Sequence, residues 1–106
     1  MSPTKPGAII TVLYKRTPDL KFDLGYFQTT HVPLASKFWL PRGLMEAHAV
    51  IPTAESEFAF AMTMYWKSLE AWEDAMKVKE EMEVIRGDVG QFTNGAPLFV
   101  VGKVLP

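Results

Sequence analysis

The order of apolar patterns along the chain predicts an α+β fold of the plan βαββαβ: an antiparallel four-stranded sheet carrying both helices on one face. Three observations carry this expectation. Short runs rich in β-branched and aromatic side chains occur at residues 8–14, 44–51, 57–66 and 98–104. Apolar residues at helical spacing fill residues 23–39 and 68–86. Polar, Pro- or Gly-containing segments separate the runs. A length of 106 residues suits one domain spanning 1–106.

Ala8-Ile9-Ile10-Thr11-Val12-Leu13-Tyr14 is the first strand. Asp23, a good cap residue, opens the first helix, which runs to about Trp39. At about 100° per residue, Leu24, Phe27, His31, Leu34 and Phe38 share one side. Pro33 cannot donate to the Thr29 carbonyl, so a kink or loosened turn is expected beside His31. Leu44 to Ile51 is the second strand, with Glu46, His48 and Val50 on one face and Ala47, Ala49 and Ile51 on the other. Residues 57–66 alternate bulky Phe58, Phe60, Met62 and Met64 with Ala59, Ala61, Thr63 and Tyr65, as a strand covered on both sides would. Ser68 caps a helix whose stripe is Leu69, Trp72 and Met76. Beyond Lys77 the apolar phase moves to Val78, Met82 and Ile85, so two helical pieces with a bend are expected, the second ending at Gly87. Residues 88–97 form a loop with an Asn94-Gly95 turn signal, and 98–104 the final strand.

This is the ferredoxin-like plan, and it leaves one apolar sheet face bare. Such a face asks for a partner, and pairing two sheets face to face produces a dimeric α/β barrel, so a homodimer is expected. A net charge of -1 without a Lys/Arg run argues against nucleic-acid binding and a polybasic membrane anchor. The chain has no cysteine, which removes disulfide and thiolate metal chemistry. Met1 to Gly7 has no apolar signal core and no run reaches membrane-spanning length, so a cytoplasmic setting is expected. There is no Gly-x-Gly-x-x-Gly, phosphate-binding loop or serine nucleophile elbow, so no nucleotide or nicotinamide cofactor is expected.

His31 is the central candidate. Its position in an apolar stripe permits two readings: a core histidine bonded to a carbonyl freed by Pro33, or a general acid/base. His48 reads as structural or solvent-facing. A metal site of His31, His48 and Glu46 lacks ligand spacing, and no metal is expected. Asp88 reads either as a helix-end residue or as a group orienting a catalytic side chain. The hydroxyls of Tyr26 and Tyr65 are candidate partners for a substrate carbonyl. Phe27, Phe38, Trp39, Met62, Met64, Tyr65, Trp66, Trp72 and Phe92 supply core and, in part, a pocket for a flat apolar ligand.

Three motifs carry a resemblance. Phe22-Asp23, Tyr26-Phe27 and His31-Val32-Pro33-Leu34 resemble the Phe-Asp…Tyr-Tyr…His-x-Pro-Leu helix of the EthD-domain family. Ser68-Leu69-Glu70-Ala71-Trp72 is similar to its Ser-x-Glu-aromatic helix start, and Asp88-Val89-Gly90-Gln91-Phe92-Thr93 to its Asp-hydrophobic-x-x-Phe-Thr loop. The resemblance implies a dimeric α/β barrel with a pocket between helices and sheet in each subunit. The wider superfamily includes cofactor-free monooxygenases, lactone isomerases, polyketide cyclases and haem-binding enzymes, while EthD-like members have been assigned dehydratase and decarboxylase roles on aromatic polyketides. The expectation is therefore a cofactor-independent lyase, cyclase or isomerase acting on a small apolar aromatic or polyketide-like carbonyl compound, with His31, Tyr26 and Asp88 as its catalytic set. The alternatives are a cofactor-independent monooxygenase of a phenol, and a ligand-carrying or haem-binding accessory protein.

Overall fold

Strand β1 (Ala8–Lys15) lies at the centre of the sheet, because both of its edges find antiparallel partners. The computed structural model describes residues 5–106; Met1 to Thr4, part of the N-terminal stretch read above, lie outside the described residues. The other strands are β2 (Leu44–Val50), β3 (Phe58–Trp66) and β4 (Leu98–Lys103), in the spatial order β2-β3-β1-β4. This order and the all-antiparallel pairing are those of the ferredoxin-like plan.

Strand alternation sorts the residues onto two faces. Ala8, Ile10, Val12 and Tyr14 pair with Trp66, Met64, Met62 and Phe60, and these eight point toward the helices. Met62 and Met64 therefore belong to the helix side, a question the period-two pattern leaves open. The opposite, open face carries Ile9, Thr11 and Leu13 beside Tyr65, Thr63 and Ala61, flanked by Glu46 and His48 on β2 and Val100 on β4.

The first helix is built in pieces. Asp23 accepts from the Tyr26 amide at 3.0 Å and caps α1 (Leu24–Tyr26). A π-helical segment, Phe27–His31, follows, and the Val32 amide reaches back five residues to the Phe27 carbonyl. Helix α2 (Val32–Trp39) runs on without a break, and Pro33 near its start withholds an amide from the turn before it. The loosened turn expected from Pro33 is thus a π segment, and it shifts the inward phase. Phe27, Ala35 and Trp39 are the buried residues, at steps of eight and four, where an uninterrupted α-helix would turn Leu34 and Phe38 inward. After a 3₁₀ turn at Leu40–Arg42, Gly43 turns the chain at φ 129°. A Cβ there would stand 3.0 Å from Ala71 Cβ and Lys67 Cγ, so both backbone angle and space call for glycine.

Helix α3 (Leu69–Met76) starts on Ser68, whose hydroxyl accepts from the Ala71 amide at 3.0 Å, a cap worth about 1 kcal/mol. Helix α4 (Lys79–Asp88) follows after the expected bend and buries Met82 and Ile85. It differs from expectation at its end. It passes through Gly87 and closes on Asp88, then tightens into a 3₁₀ turn at Val89–Gln91. Nothing lies within 4 Å of a Cβ placed on Gly87, so that glycine meets no steric demand, and helical geometry continues. Asp88 is thereby held by a helix and not by a loop.

Trp39, Trp66 and Trp72 meet mutually edge-to-face, with centroids 5.4 to 5.9 Å apart. They join α2, β3 and α3, and Trp66 is completely buried. The Trp39 and Trp66 indole nitrogens have no oxygen partner among the described residues, and crossing angles of 60 to 79° turn ring edges toward neighbouring π faces. A forked pair, Arg42 to Glu81 at 2.7 and 2.8 Å, ties the end of the first helical unit to α4 across the surface.

Candidate functional site

Three polar side chains far apart in sequence meet where the π segment faces the end of α4. His31 Nδ1 lies 2.9 Å from Asp88 Oδ2, and the Tyr26 hydroxyl donates to Asp88 Oδ1 at 2.6 Å. The His31 and Asp88 side chains are only 12% and 15% exposed. The carbonyl freed by Pro33 is not what His31 uses; its partner comes from another helix. Tyr26 in turn commits its hydroxyl to Asp88, which makes it a support for the carboxylate in place of the carbonyl donor expected from sequence.

The electrostatics of the trio are consistent. Burial disfavours the charge on Asp88, but the hydrogen bonds from Tyr26 and His31 outweigh it and hold the carboxyl below its usual range. The Tyr26 phenol is pushed up, first by its bond to that carboxylate and then by burial. An ionised Asp88 only accepts, so in the neutral ring the network puts the proton on His31 Nδ1 and the lone pair on Nε2. Below the imidazole, Phe27 stacks at 5.8 Å and Phe92 lies tilted at 4.5 Å, which restricts ring rotation.

His31 forms part of the wall of a cavity of about 510 Å³ between the helices and the sheet. The size is that of a small-molecule site. Phe27, Trp39, Met62, Met64 and Trp72, all expected around a pocket, line it, and Met76 and Met82 add to its methionine content. Four other expected residues stand elsewhere. Tyr65 pairs across from Ile9 and Glu46 on the open face, because odd positions of β3 point away from the helices. Trp66 is sealed inside the tryptophan cluster, and Phe92 is buried beneath His31. Phe38 packs half-buried against the core without lining the cavity, and lies under Lys37 Nζ at 5.7 Å.

Besides His31, the wall includes Tyr14, Ser36 and Arg86, none of which the sequence reading singled out. Tyr14 was legible in principle, since it continues the even-numbered face of β1. Ser36 and Arg86 carried no signal. His48 pairs with Glu46 at 3.1 Å on the open face, both well exposed, so the sheet separates them from His31. No cluster of three His, Cys, Asp or Glu side chains fit for a metal occurs among the described residues. Nor, among them, is any helix long and apolar enough to cross a membrane.

The loop expected at residues 88–97 is shorter and pinned. Thr93 Oγ1 donates to the Lys21 carbonyl at 2.6 Å, and the Asn94 side chain accepts from the Lys21 amide at 2.7 Å and donates to the Asp19 carbonyl at 2.9 Å. Asp23 N bonds the Phe92 carbonyl at 2.6 Å, so the segment holding Phe92 is stitched to the start of the first helix.

No protein-family model matches this chain. No curated protein matches it by sequence. Solved structures match it over nearly its whole length. An EthD-like protein from Ralstonia eutropha JMP134 superposes with a TM-score of 0.79 at 20% identity, over 97% of this chain and 96% of that one. SnoaB, a cofactor-independent oxygenase from Streptomyces nogalater, gives 0.68 at 6% identity, over 95% of each chain. A dimeric ferredoxin-like protein from an uncultured marine organism gives 0.63 at 11% identity, over 93% of this chain and 95% of that one. At such identities the likeness establishes the fold, which is the ferredoxin-like fold of EthD-like proteins; chemistry has to be argued from the site.

Proposed function

We propose that the protein is a homodimeric enzyme that moves a proton on a small, largely apolar carbonyl compound, in a dehydration, cyclisation or isomerisation. One observation carries this reading: an imidazole fixed by a half-buried carboxylate stands in the wall of an apolar cavity. Nε2 of His31 is the general base and, once protonated, the general acid. Asp88 and Tyr26 are positioning residues that hold the tautomer and stabilise the imidazolium. A positioned acid/base of this kind contributes about 10²- to 10⁴-fold, and the apolar surroundings strengthen each polar contact. Aromatic and methionine side chains favour a flat, polarisable body such as an aromatic or polyketide-like ring system. The proton transfers themselves require no cofactor.

Dimerisation completes the reading. Leu98, Phe99, Val100 and Val101 of edge strand β4 are all exposed in the single chain, a costly surface for a monomer. Pairing through the open sheet face and β4 covers it, and Phe99 and Val101 also border the cavity.

The test is α-proton exchange of 2-tetralone in D₂O, followed by NMR. Exchange accelerated over buffer by the wild type, and reduced about 100-fold in His31→Gln with the fold intact, supports the reading. An exchange rate unaffected by His31→Gln removes it. A second reading, cofactor-independent oxygenation of a phenol, draws on the fold shared with SnoaB and on the same base, which could deprotonate a phenol. Oxygen uptake in the presence of naphthols distinguishes it from the first.

A further inference from the structure

We infer that the Tyr14 hydroxyl is the cavity's hydrogen-bond donor to the substrate's carbonyl oxygen, acting opposite the His31 base, and that the substrate class is accordingly an enolisable cyclic or aryl ketone. This rests on the acid–base reading of His31 and adds a second substrate-touching residue to it.

Tyr14 lies near the end of β1, where it pairs with Phe60 of β3 just before a register shift, and it is 4% exposed. It forms part of the wall of the cavity that His31 also lines. Its hydroxyl makes no hydrogen bond to any described residue, and burial alone accounts for its raised pKa of about 12. The hydroxyl is not among the sealed, unpartnered polar atoms of the described residues, so with no protein partner it is open to a small guest in the cavity. At neutral pH it keeps its proton and is free to donate.

Placement relative to His31 fits one small molecule. Both rings pack on Phe92, His31 at 4.5 Å and Tyr14 at 6.3 Å between centroids. A fused two-ring ketone in the cavity that both residues line can meet them together. Tyr26 cannot serve this purpose, because Asp88 already takes its proton. The step balances without any co-reactant. The α C–H bond breaks and its proton moves to His31 Nε2. The electron pair forms the C=C bond of the enolate, and the charge that collects on oxygen is held by the Tyr14 O–H. Return of the proton from Nε2 to carbon or to a leaving hydroxyl regenerates the imidazole.

The experiment uses 2-tetralone labelled with ¹³C at the carbonyl, and the variants Tyr14→Phe and His31→Gln. Infrared difference spectra of the bound ketone should show its C=O stretch lowered in the wild type and in His31→Gln, and restored toward the alkane-solvent value in Tyr14→Phe. Exchange at the α carbon should fall roughly 100-fold in Tyr14→Phe, with ketone affinity changed far less, as expected for a donor that acts on developing charge. Thermal stability of Tyr14→Phe should be unchanged or higher, because the lost hydroxyl had no protein partner. A carbonyl stretch identical in wild type and Tyr14→Phe, or a cavity that does not take up the ketone, overturns the proposal. A lowered stretch that depends on Tyr14, with exchange indifferent to His31→Gln, instead overturns the His31 reading and leaves the ketone contact standing.

Discussion

His31 and Asp88, 57 positions apart, meet at 2.9 Å because a π segment on one helix faces the last residue of another. The contact sets which nitrogen of the neutral imidazole is free, and therefore which way its lone pair points.

Replacing Asp88 by Asn tests that consequence. The side-chain amide can accept from Nδ1–H or donate to bare Nδ1, so tautomer control is lost. ¹⁵N spectra of His31 should show predominantly Nδ1-protonated imidazole in the neutral wild-type ring and a mixture in Asp88→Asn. Tetralone exchange should fall roughly 100-fold, with a stability cost of about 1–3 kcal/mol from the two weakened hydrogen bonds. A single unchanged tautomer with unchanged exchange would contradict the assigned role.

The same pair makes stability depend on pH in a defined direction. The folded Asp88 carboxyl titrates below its ordinary value of 3.8. Its contribution is therefore complete above that value, declines as the pH falls toward the depressed folded value, and is gone below it. Urea denaturation of wild type and Asp88→Asn should show a stability gap that narrows as the pH falls below about pH 4. A gap that persists unchanged through that acid range would contradict the depressed carboxyl.

The tryptophans report on occupancy selectively. Trp39 and Trp72 line the cavity and Trp66 does not. Ligand-induced quenching should persist in Trp66→Phe and weaken in Trp72→Phe. Trp66→Ala should cost about 3–5 kcal/mol, because it empties a sealed site at the junction of three elements. Chemical denaturation measures the second effect and a ketone titration the first.

A charge on the open face tests assembly. Val100 sits beside Thr11 on that face and is 57% exposed in the single chain. Val100→Asp should convert a dimer to a monomer in sedimentation velocity while the far-ultraviolet circular dichroism stays unchanged. A variant that sediments as the wild type does would place the interface elsewhere.

Most of the fold was legible because strand and helix periods differ so plainly. The size alternation from Phe58 to Tyr65 and the phase jump after Lys77 each correspond to an observed element or bend. The site was legible in part. His31 stood out as a polar residue in an apolar stripe, but its partner could not be read from periodicity, since Asp88 is brought to it by tertiary packing alone. Phe38 was misplaced because a uniform helical repeat cannot represent a segment of different pitch. Tyr65 and Trp66 were grouped with the pocket because composition does not say which side of a sheet an aromatic occupies, or whether a cavity remains beside it. Tyr14 was passed over because a tyrosine ending a β-rich run looks like an ordinary strand former until its hydroxyl is found without a partner.

The wide turn ahead of Pro33 makes this helix intolerant of length changes in a way that ordinary helices are not. It holds one residue more than regular winding would need, and that surplus is what brings Ala35 and Trp39 onto the buried side with Phe27. Deleting Thr30 would tighten the coil into an unbroken rod, yet it would turn His31, Ala35 and Trp39 together away from Tyr26 and Phe27. A natural lineage carrying this chemistry should therefore tolerate substitution at Gln28, Thr29 and Thr30 far better than the loss of any one of them.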